Sequence, residues 1–155
     1  MDTKKLAIAG QIYTSNKDKN ILATIDITSL IETNFHKVKE TDTLGNLVTI
    51  IANSKRNIFP VINNNEELVG IILLDDIREI IFKTELYNKV FVNELMKNPP
   101  ETLSLHETME SIVSKFDKTG AWNLPVVDNK KYTGFISKSA VFSNYRQKLI
   151  TSTIE

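Results

Sequence analysis

The side chains best suited to catalysis stand at spacings that build neither an acid–base pair nor a metal site. His36 and His106 lack the short spacing, such as H-x-x-x-H, that brings two imidazoles to one metal ion. The acidic pairs Asp75–Asp76 and Glu66–Glu67 are adjacent in sequence, and neighbouring side chains usually point apart. Cysteine is absent, which excludes thiolate nucleophiles and thiolate metal ligands. We therefore expect no enzymatic activity and no bound metal.

Phosphate recognition is a second chemistry for which suitable residues occur. The five glycines form neither G-x-G-x-x-G nor G-x-x-x-x-G-K-[ST], so a phosphate-cradling catalytic loop is excluded. Lys55 and Arg56 precede a short apolar stretch, where their charges could neutralise a phosphate. A solvated surface pair is the alternative for these two residues, and Lys138 presents the same choice.

Charge and composition favour a soluble globular protein that does not bind nucleic acid. Nineteen basic residues are matched by nineteen acidic ones, so the chain has no global basic field. Hydrophobic residues make up 41% of the chain and charged residues 25%, as in ordinary globular domains. No apolar run approaches the ~20 residues of a membrane span. The short apolar run near the N-terminus predicts no secretory signal.

The elements that would position these side chains occur twice. With a shift of 65 residues the hydrophobic positions of the chain coincide, and Pro60–Val61 falls on Pro125–Val126. The second copy then loses one residue in a turn, and Gly70 falls on Gly134. A chance match would not keep one register, lose one residue in a loop and resume. The sequence therefore predicts a tandem duplication.

Each copy predicts the element order β-α-β-β-α. In the first copy, apolar residues between 44 and 51 recur at helical spacing, and Asp42 and Thr43 precede them as capping residues. The strand that follows contains Pro60, which indicates an interruption or a sheet edge. A buried strand comes next, after which Asp75 or Asp76 is expected to cap a second helix. The second copy predicts a helix over 109–116, strands over 124–127 and 132–136, and a helix through Val141 and Tyr145.

The duplicated pattern resembles the cystathionine-β-synthase (CBS) motif in tandem. A hydrophobic residue, proline and valine are followed by a turn, a glycine with further hydrophobic residues, and a polar residue that opens a helix. The resemblance implies an α+β fold in which two β-α-β-β-α repeats pack with pseudo-twofold symmetry into one globule. We expect a lead-in segment at 1–25, CBS motifs at 26–86 and 90–150, and a tail at 151–155.

The same resemblance implies an adenine nucleotide, ATP, ADP or AMP, as a regulatory ligand. In the family, a Ser or Thr three residues after the glycine and an Asp six residues after it serve the sugar and the phosphate. The first copy has Leu73 and Asp76 at these positions, and the second has Ser137 and Ala140. A missing ribose acceptor lowers affinity roughly tenfold to a hundredfold. Helix capping is the alternative role of both Asp76 and Ser137.

The other implied contacts are apolar residues of the adenine slot and their polar neighbours. Trp122 could stack on a base, although a single Trp before a buried strand more often packs in a core. The implied contacts are Lys55, Arg56, Asn57, Ile58, Pro60 and Ile72 in the first copy, and Asn123, Leu124, Pro125 and Lys138 in the second.

Shorter strings are similar to the CBS pair of bacterial ClC-type chloride channels and transporters. They lie at 54–61, 122–126, 134–139 and 142–146. This similarity implies a regulatory module on the cytoplasmic side of the cell membrane, attached to a membrane-embedded channel or transporter body. The alternatives are a dimerisation or structural module without a ligand, the CBS pair of another transporter, and a free-standing CBS protein. A homodimer is also implied, through spare apolar residues that are Phe82, Leu86, Phe142 and Leu149.

Overall fold

The computed structural model describes residues 27–154. The predicted lead-in segment 1–25 and residue 155 of the predicted tail lie outside the described residues. In the first copy, β1 is parallel and β3 is antiparallel to the central strand β2 of a three-stranded sheet. Its elements are β1 (Val38–Lys39), α1 (Leu44–Ala52), β2 (Ile58–Ile62), β3 (Leu68–Leu73) and α2 (Leu74–Ile77).

The second copy forms a second three-stranded sheet in the order β4-β5-β6. The predicted α+β class and the repeated order of elements are confirmed. Short 3₁₀ turns lie at Ile27–Leu30 and Thr84–Leu86. The remaining elements are α3 (Val92–Leu95), β4 (Leu103–Ser104), α4 (Met109–Thr119), β5 (Asn123–Asp128), β6 (Lys131–Ser137) and α5 (Lys138–Ile154).

The long helix at the start of each copy begins at the same kind of residue. Thr43 Oγ1 and Thr108 Oγ1 each accept a hydrogen bond, at 3.1 Å, from the backbone N–H three residues later. Each threonine thereby satisfies a first-turn N–H that has no partner within its helix. The predicted cap at Thr43 is confirmed. Asp42 instead accepts a hydrogen bond from the N–H of Lys39 at 2.9 Å and closes the preceding turn.

Pro60 lies in a buried central strand, so the sheet edge, one of the two predicted alternatives, is wrong; the register of β2 with β3 shifts just after it, between Val61 and Ile62. Its partner on β3, Ile71, directs its backbone N–H and C=O to Lys97 on the other side. The pair of Pro60 and Ile71 therefore shares no ladder hydrogen bond. β1 pairs only with Val61 and Ile62, so it does not reach Pro60. A proline is tolerated here because its missing N–H removes no hydrogen bond from the sheet.

The helix after β3 is only one turn long, and the predicted capping by an aspartate is wrong. α2 follows Leu73 directly, and Leu73 makes no side-chain cap. Asp75 and Asp76 lie within the first turn, where the helix dipole stabilises a negative charge. Ile77 is buried, and the chain then turns while Ile80 and Ile81 remain packed against the core.

Two compact units divide the described chain, and neither is one continuous stretch of sequence. The first-copy unit contains the first copy from Thr33 onward, the opening segment of the second copy and the tip of the β5–β6 hairpin, and the second-copy unit contains the rest of the second copy with the segment before Thr33. Each unit buries its own cluster of apolar side chains. The units comprise Thr33–Pro99 with Val127–Gly134, and 27–32 with Pro100–Val126 and 135–154.

The opening segments of the two copies are exchanged between these two cores. Leu30, from the opening segment of the first copy, packs in the core of the second-copy unit. Val92, from the opening segment of the second copy, packs in the core of the first-copy unit and is fully buried. The exchange explains why each unit is discontinuous in sequence.

Equivalent backbone bridges accompany the exchange. Glu32 and Phe135 donate N–H groups to each other's carbonyl oxygens at 2.7 and 2.9 Å in the second-copy unit. Ile71 and Lys97 do the same at 2.8 and 3.0 Å in the first-copy unit. These two pairs are equivalent in the register of the duplication, so both opening segments join the last strand of the other copy in the same way.

Candidate functional site

Both copies close the junction between the last strand and its helix with the same hydrogen bond. The N–H of Leu74 donates to the carbonyl of Asn57 at 2.9 Å, and the N–H of Lys138 donates to the carbonyl of Trp122 at 2.8 Å. The two donors are equivalent in the duplication, as are the two acceptors. We define the first-copy site as residues 55–58, 60, 72–74, 76 and 97, and the second-copy site as residues 122–125, 137, 138 and 140.

Asp76 is the acidic group of the first-copy site. Its side chain is 46% exposed, and a carboxylate oxygen lies 3.0 Å from Nζ of Lys97. An exposed ion pair of this kind contributes about 0–1 kcal/mol, so a ligand can compete for either partner. A carboxylate at this place can accept hydrogen bonds from two hydroxyl groups.

Lys97 belongs to the first-copy site, and sequence reasoning missed it. It stands in the opening segment of the second copy, and only the exchange of segments brings it to β3 and α2. The register of the duplication shows that Lys97 and Glu32 are equivalent. It does not show which copy each opening segment joins.

The two basic residues before β2 have different environments. Lys55 is exposed. The guanidinium of Arg56 donates to Oδ1 of Asn34 at 2.6 Å and lies 4.0 Å from the centre of the Phe35 ring. A solvated surface residue therefore describes Lys55, whereas Arg56 is held against its neighbours by a hydrogen bond and a cation–π contact.

The pleat of β2 separates the apolar residues that the sequence assigned to one slot. Ile72 is 1% exposed and belongs to the helix-facing core together with Phe59. Ile58 and Pro60 alternate with Phe59 along the strand, so they point to the opposite face of the sheet. Asn57, just before them, is exposed. Ile58 and Pro60 share that opposite face of the sheet, where both are buried, whereas Ile72 supports the sheet from its core side.

The hydroxyl of the second-copy site serves its helix. Oγ of Ser137 accepts a hydrogen bond from the N–H of Ala140 at 3.1 Å and caps the N-terminus of α5. The capping role of Ser137 is confirmed. Ala140 stands at the position equivalent to Asp76 and offers no side-chain acceptor. The second-copy site therefore has no carboxylate at the position that would serve a ribose.

The strand residues of the second-copy site alternate as those of the first do. Leu124 is fully buried in the core of its unit. Asn123 and Pro125 flank it on β5 and point to the opposite face, where Asn123 is half-buried and Pro125 is buried. On β5, Asn123 is the residue of this site whose side chain offers both a hydrogen-bond donor and an acceptor.

Trp122 is exposed, against the expectation that it packs in a core. Its side chain is 72% exposed, and Nζ of Lys138 lies 5.3 Å from the centre of its ring. This distance is within the range of a cation–π contact. The second-copy site thus presents an indole and an ammonium group together.

Among the residues that the structure describes, two groups have clearly shifted pKa values, and neither belongs to these sites. Burial raises the pKa of Tyr132, and the positive charge of Arg56 opposes the rise. Burial also raises the pKa of Glu107, but hydrogen bonds from Lys115, Ser111 and a backbone N–H outweigh it and lower that pKa below its usual value. Nζ of Lys115 lies 2.7 Å from a carboxylate oxygen of Glu107, so Glu107, just before α4, forms an ion pair with a lysine of that helix.

Both histidines, His36 and His106, are exposed. Among the described residues, no three His, Cys, Asp or Glu side chains are grouped so that they could hold a metal ion. Within 27–154, no helix combines the length and the apolar character that crossing a membrane requires.

A protein-family model described as the CBS domain matches the chain twice, at residues 26–83 and 92–146. Two solved structures have the same fold. CbpB in complex with c-di-AMP has a TM-score of 0.71 at 18% identity, over 92% of this chain and 97% of that one. CBSX2 in complex with AMP has a TM-score of 0.64 at 24% identity, over 79% of this chain and 96% of that one.

The similarity to a curated protein covers a small part of that relative. Homoserine O-acetyltransferase of Methanococcus vannielii is 24% identical over 112 residues, which are 72% of this chain. The matched segment is 23% of the length of that relative. The relative is therefore a much longer protein that contains a similar segment.

Proposed function

The chain belongs to the CBS-domain family, and from that premise we propose that it is a regulatory module that binds an adenine nucleotide, ATP, ADP or AMP, at the first-copy site. The observation that carries this proposal is the exposed carboxylate of Asp76, six residues after Gly70 and in the first turn of α2. Ile58 and Pro60, which are both buried, form one apolar face of the adjoining strand, and we expect the edge of that face to meet the adenine ring. The adenine-nucleotide complexes of CbpB and CBSX2 support this ligand class.

The module acts by binding and not by turnover. A nucleotide that binds one conformation of the pair better than another shifts the population toward that conformation. An attached domain that favours one of the two conformations is shifted together with the pair. By linkage, the state of that domain also changes the affinity for the nucleotide. Regulation therefore requires a measurable binding energy and no reaction.

Calorimetric titration with ATP, ADP and AMP tests the binding proposal. Wild type should bind at least one of them saturably, and Asp76→Ala should weaken that binding about tenfold or more because a charge-assisted hydrogen bond is lost. Asp75→Ala is the matched control, since it removes the same charge from the same helical turn, where Asp75 pairs with Arg78. Equal affinities in wild type and Asp76→Ala would contradict the proposal.

We further propose that the attached body is a ClC-type anion channel or transporter, with this module on the cytoplasmic side of the cell membrane. The strings at 54–61, 122–126, 134–139 and 142–146 support this proposal. Sequencing the natural gene upstream of Met1 tests it. An anion-transport domain in frame is the expected result, and an enzyme domain or a gene start at Met1 would contradict it.

An exposed phenylalanine favours self-association as a second function. Phe82 is 80% exposed, whereas Leu86 and Phe142 pack partly against the cores of their units. The side chain of Leu149 lies outside the described ones. We propose a homodimer that uses Phe82, and Phe82→Glu should then shift the sedimenting species toward the monomer. A wild type that is monomeric at all concentrations would contradict a dimeric module.

A further inference from the structure

The backbone of Lys97 is fixed beside the last strand of the first-copy unit. Its N–H donates to the carbonyl of Ile71 at 3.0 Å, and its carbonyl accepts the N–H of Ile71 at 2.8 Å. Two hydrogen bonds to one residue set the position of the Lys97 Cα atom. The reach of its ammonium group is therefore limited to what its own side chain allows.

Gly70 makes this approach possible. A Cβ atom at position 70 would lie 3.0 Å from Sδ of Met96 and 3.1 Å from the carbonyl oxygen of Lys97. A side chain at position 70 would therefore require Met96 and the backbone of Lys97 to move by a few tenths of an ångström. The glycine thus gives Lys97 its place, and the same short stretch of chain carries Asp76 six residues later.

The charges of the first-copy site fit an anionic ligand with neighbouring hydroxyl groups. Without a ligand, Nζ of Lys97 and the carboxylate of Asp76 pair at 3.0 Å, and each side chain is about half exposed. An ammonium group has three donors, so it can bind a phosphate oxygen when hydroxyl groups occupy the carboxylate. A neutral nucleoside can use only the carboxylate and leaves the ammonium group without a new partner.

We propose that Lys97 binds the phosphate of the nucleotide and makes the first-copy site prefer a nucleoside phosphate to a nucleoside. This inference rests on the proposed nucleotide site at Asp76. The second-copy site offers the opposite chemistry, because Glu32 occupies the position equivalent to Lys97 and Ala140 the position equivalent to Asp76. The first-copy site is accordingly the one suited to a phosphate ester.

Calorimetric titration of the full chain with AMP and with adenosine tests the role of Lys97. Wild type should bind AMP about tenfold or more tightly than adenosine. Lys97→Met should remove most of that difference by weakening AMP and leaving adenosine unchanged, and Lys97→Arg should retain it. Lys89→Met is the control, since it removes the same charge from an exposed residue of the same unit outside the site.

Each other outcome overturns the inference in a distinguishable way. If Lys97→Met weakens AMP and adenosine equally, Lys97 only positions Asp76. If it strengthens both ligands, Lys97 is a competitor for the carboxylate. If wild type binds neither AMP nor adenosine at millimolar concentration, the proposed nucleotide site fails and the role of Lys97 fails with it.

Gly70→Ala should reproduce the loss of AMP preference if its fold is retained, as judged by circular dichroism.

Discussion

The first-copy site and the second-copy site have the same backbone frame and different side chains. In both, the first residue of the helix after the last strand donates its N–H to the carbonyl of the residue just before the central strand. The first-copy site adds the carboxylate of Asp76 and the ammonium group of Lys97, whereas the second adds the indole of Trp122. Duplication thus reproduces the geometry, and a few substituted positions give the two sites different polar and charged groups.

The two sites also differ in how they use a hydroxyl group. Oγ of Ser137 accepts a hydrogen bond from the first turn of α5, a helix of 17 residues. Leu73 has no such oxygen, and α2, which follows it, has only four residues. A hydroxyl that caps a long helix is already satisfied, so a ligand gains less from it.

The largest expected effect concerns the packing of the two cores, one in each unit. Phe59→Ala in the first-copy unit and Phe116→Ala in the second-copy unit should each lower the free energy of unfolding by about 3–5 kcal/mol, because both side chains are fully buried. Chemical denaturation measures this loss. Lys89→Ala, at an exposed position outside the core, is the control and should change stability by about 0.5 kcal/mol or less. A similarly small loss for Phe59→Ala would contradict the described core.

A second prediction would erase the difference between the two sites. Ala140→Asp supplies the missing carboxylate at the N-terminal turn of α5, where a negative charge is favourable. In an Asp76→Ala background, we expect it to raise the affinity for adenosine about tenfold or more, with a change in Trp122 emission. Ser139→Asp adds the same charge at an exposed neighbouring position and should have no such effect. Unchanged affinity in Ala140→Asp would show that the frame alone is insufficient.

The duplication and the type of most elements could be predicted from the sequence. The apolar spacing of α1 and the threonine before it are local signals, and both are confirmed. The prediction of a sheet edge at Pro60 was wrong because it assumed that a central strand needs an N–H donor at every position. The register with Ile71 requires no donor at position 60. Local chemistry alone does not reveal the register of a strand pair.

The charged partner of Asp76 could not be predicted for a different reason. Lys97 reaches the site because an opening segment joins the last strand of the other copy, which is a long-range choice. The exposure of Trp122 is likewise set by tertiary packing. Helical periodicity and turn residues carry no information about long-range contacts or exposure. The sequence therefore identified Asp76 but not its partner Lys97.

A smaller effect separates capping from ligand binding. Ser137→Ala should lower the free energy of unfolding by about 1 kcal/mol, because a first-turn N–H of α5 loses its partner. Its affinity for AMP should remain that of wild type. Ser139→Ala, at an exposed position of the same helix, serves as the control in both thermal unfolding and titration. Weaker AMP binding in Ser137→Ala would instead place a ligand at the second-copy site.

The smallest effect concerns pH and lies outside both sites. Since the pKa of Glu107 is lower in the folded chain than in the unfolded one, the unfolded chain binds more protons near pH 4.5. The contribution of Glu107 to stability is therefore present at neutral pH and is lost as the pH falls through that range. Glu107→Gln should reduce this acid-side loss in thermal unfolding while AMP affinity at pH 7 stays constant. An identical pH profile for the variant would contradict the ion pair with Lys115.

Hydrogen exchange followed by mass spectrometry, with and without AMP, tests most directly whether the nucleotide binds to the first copy. Saturating AMP should slow the exchange of backbone amides in Gly70–Ile77 and in Met96–Lys97, and leave Gly134–Ala140 unchanged. Slowing confined to Gly134–Ala140, or no slowing in either stretch, would contradict an account in which Asp76 and Lys97 hold the ligand.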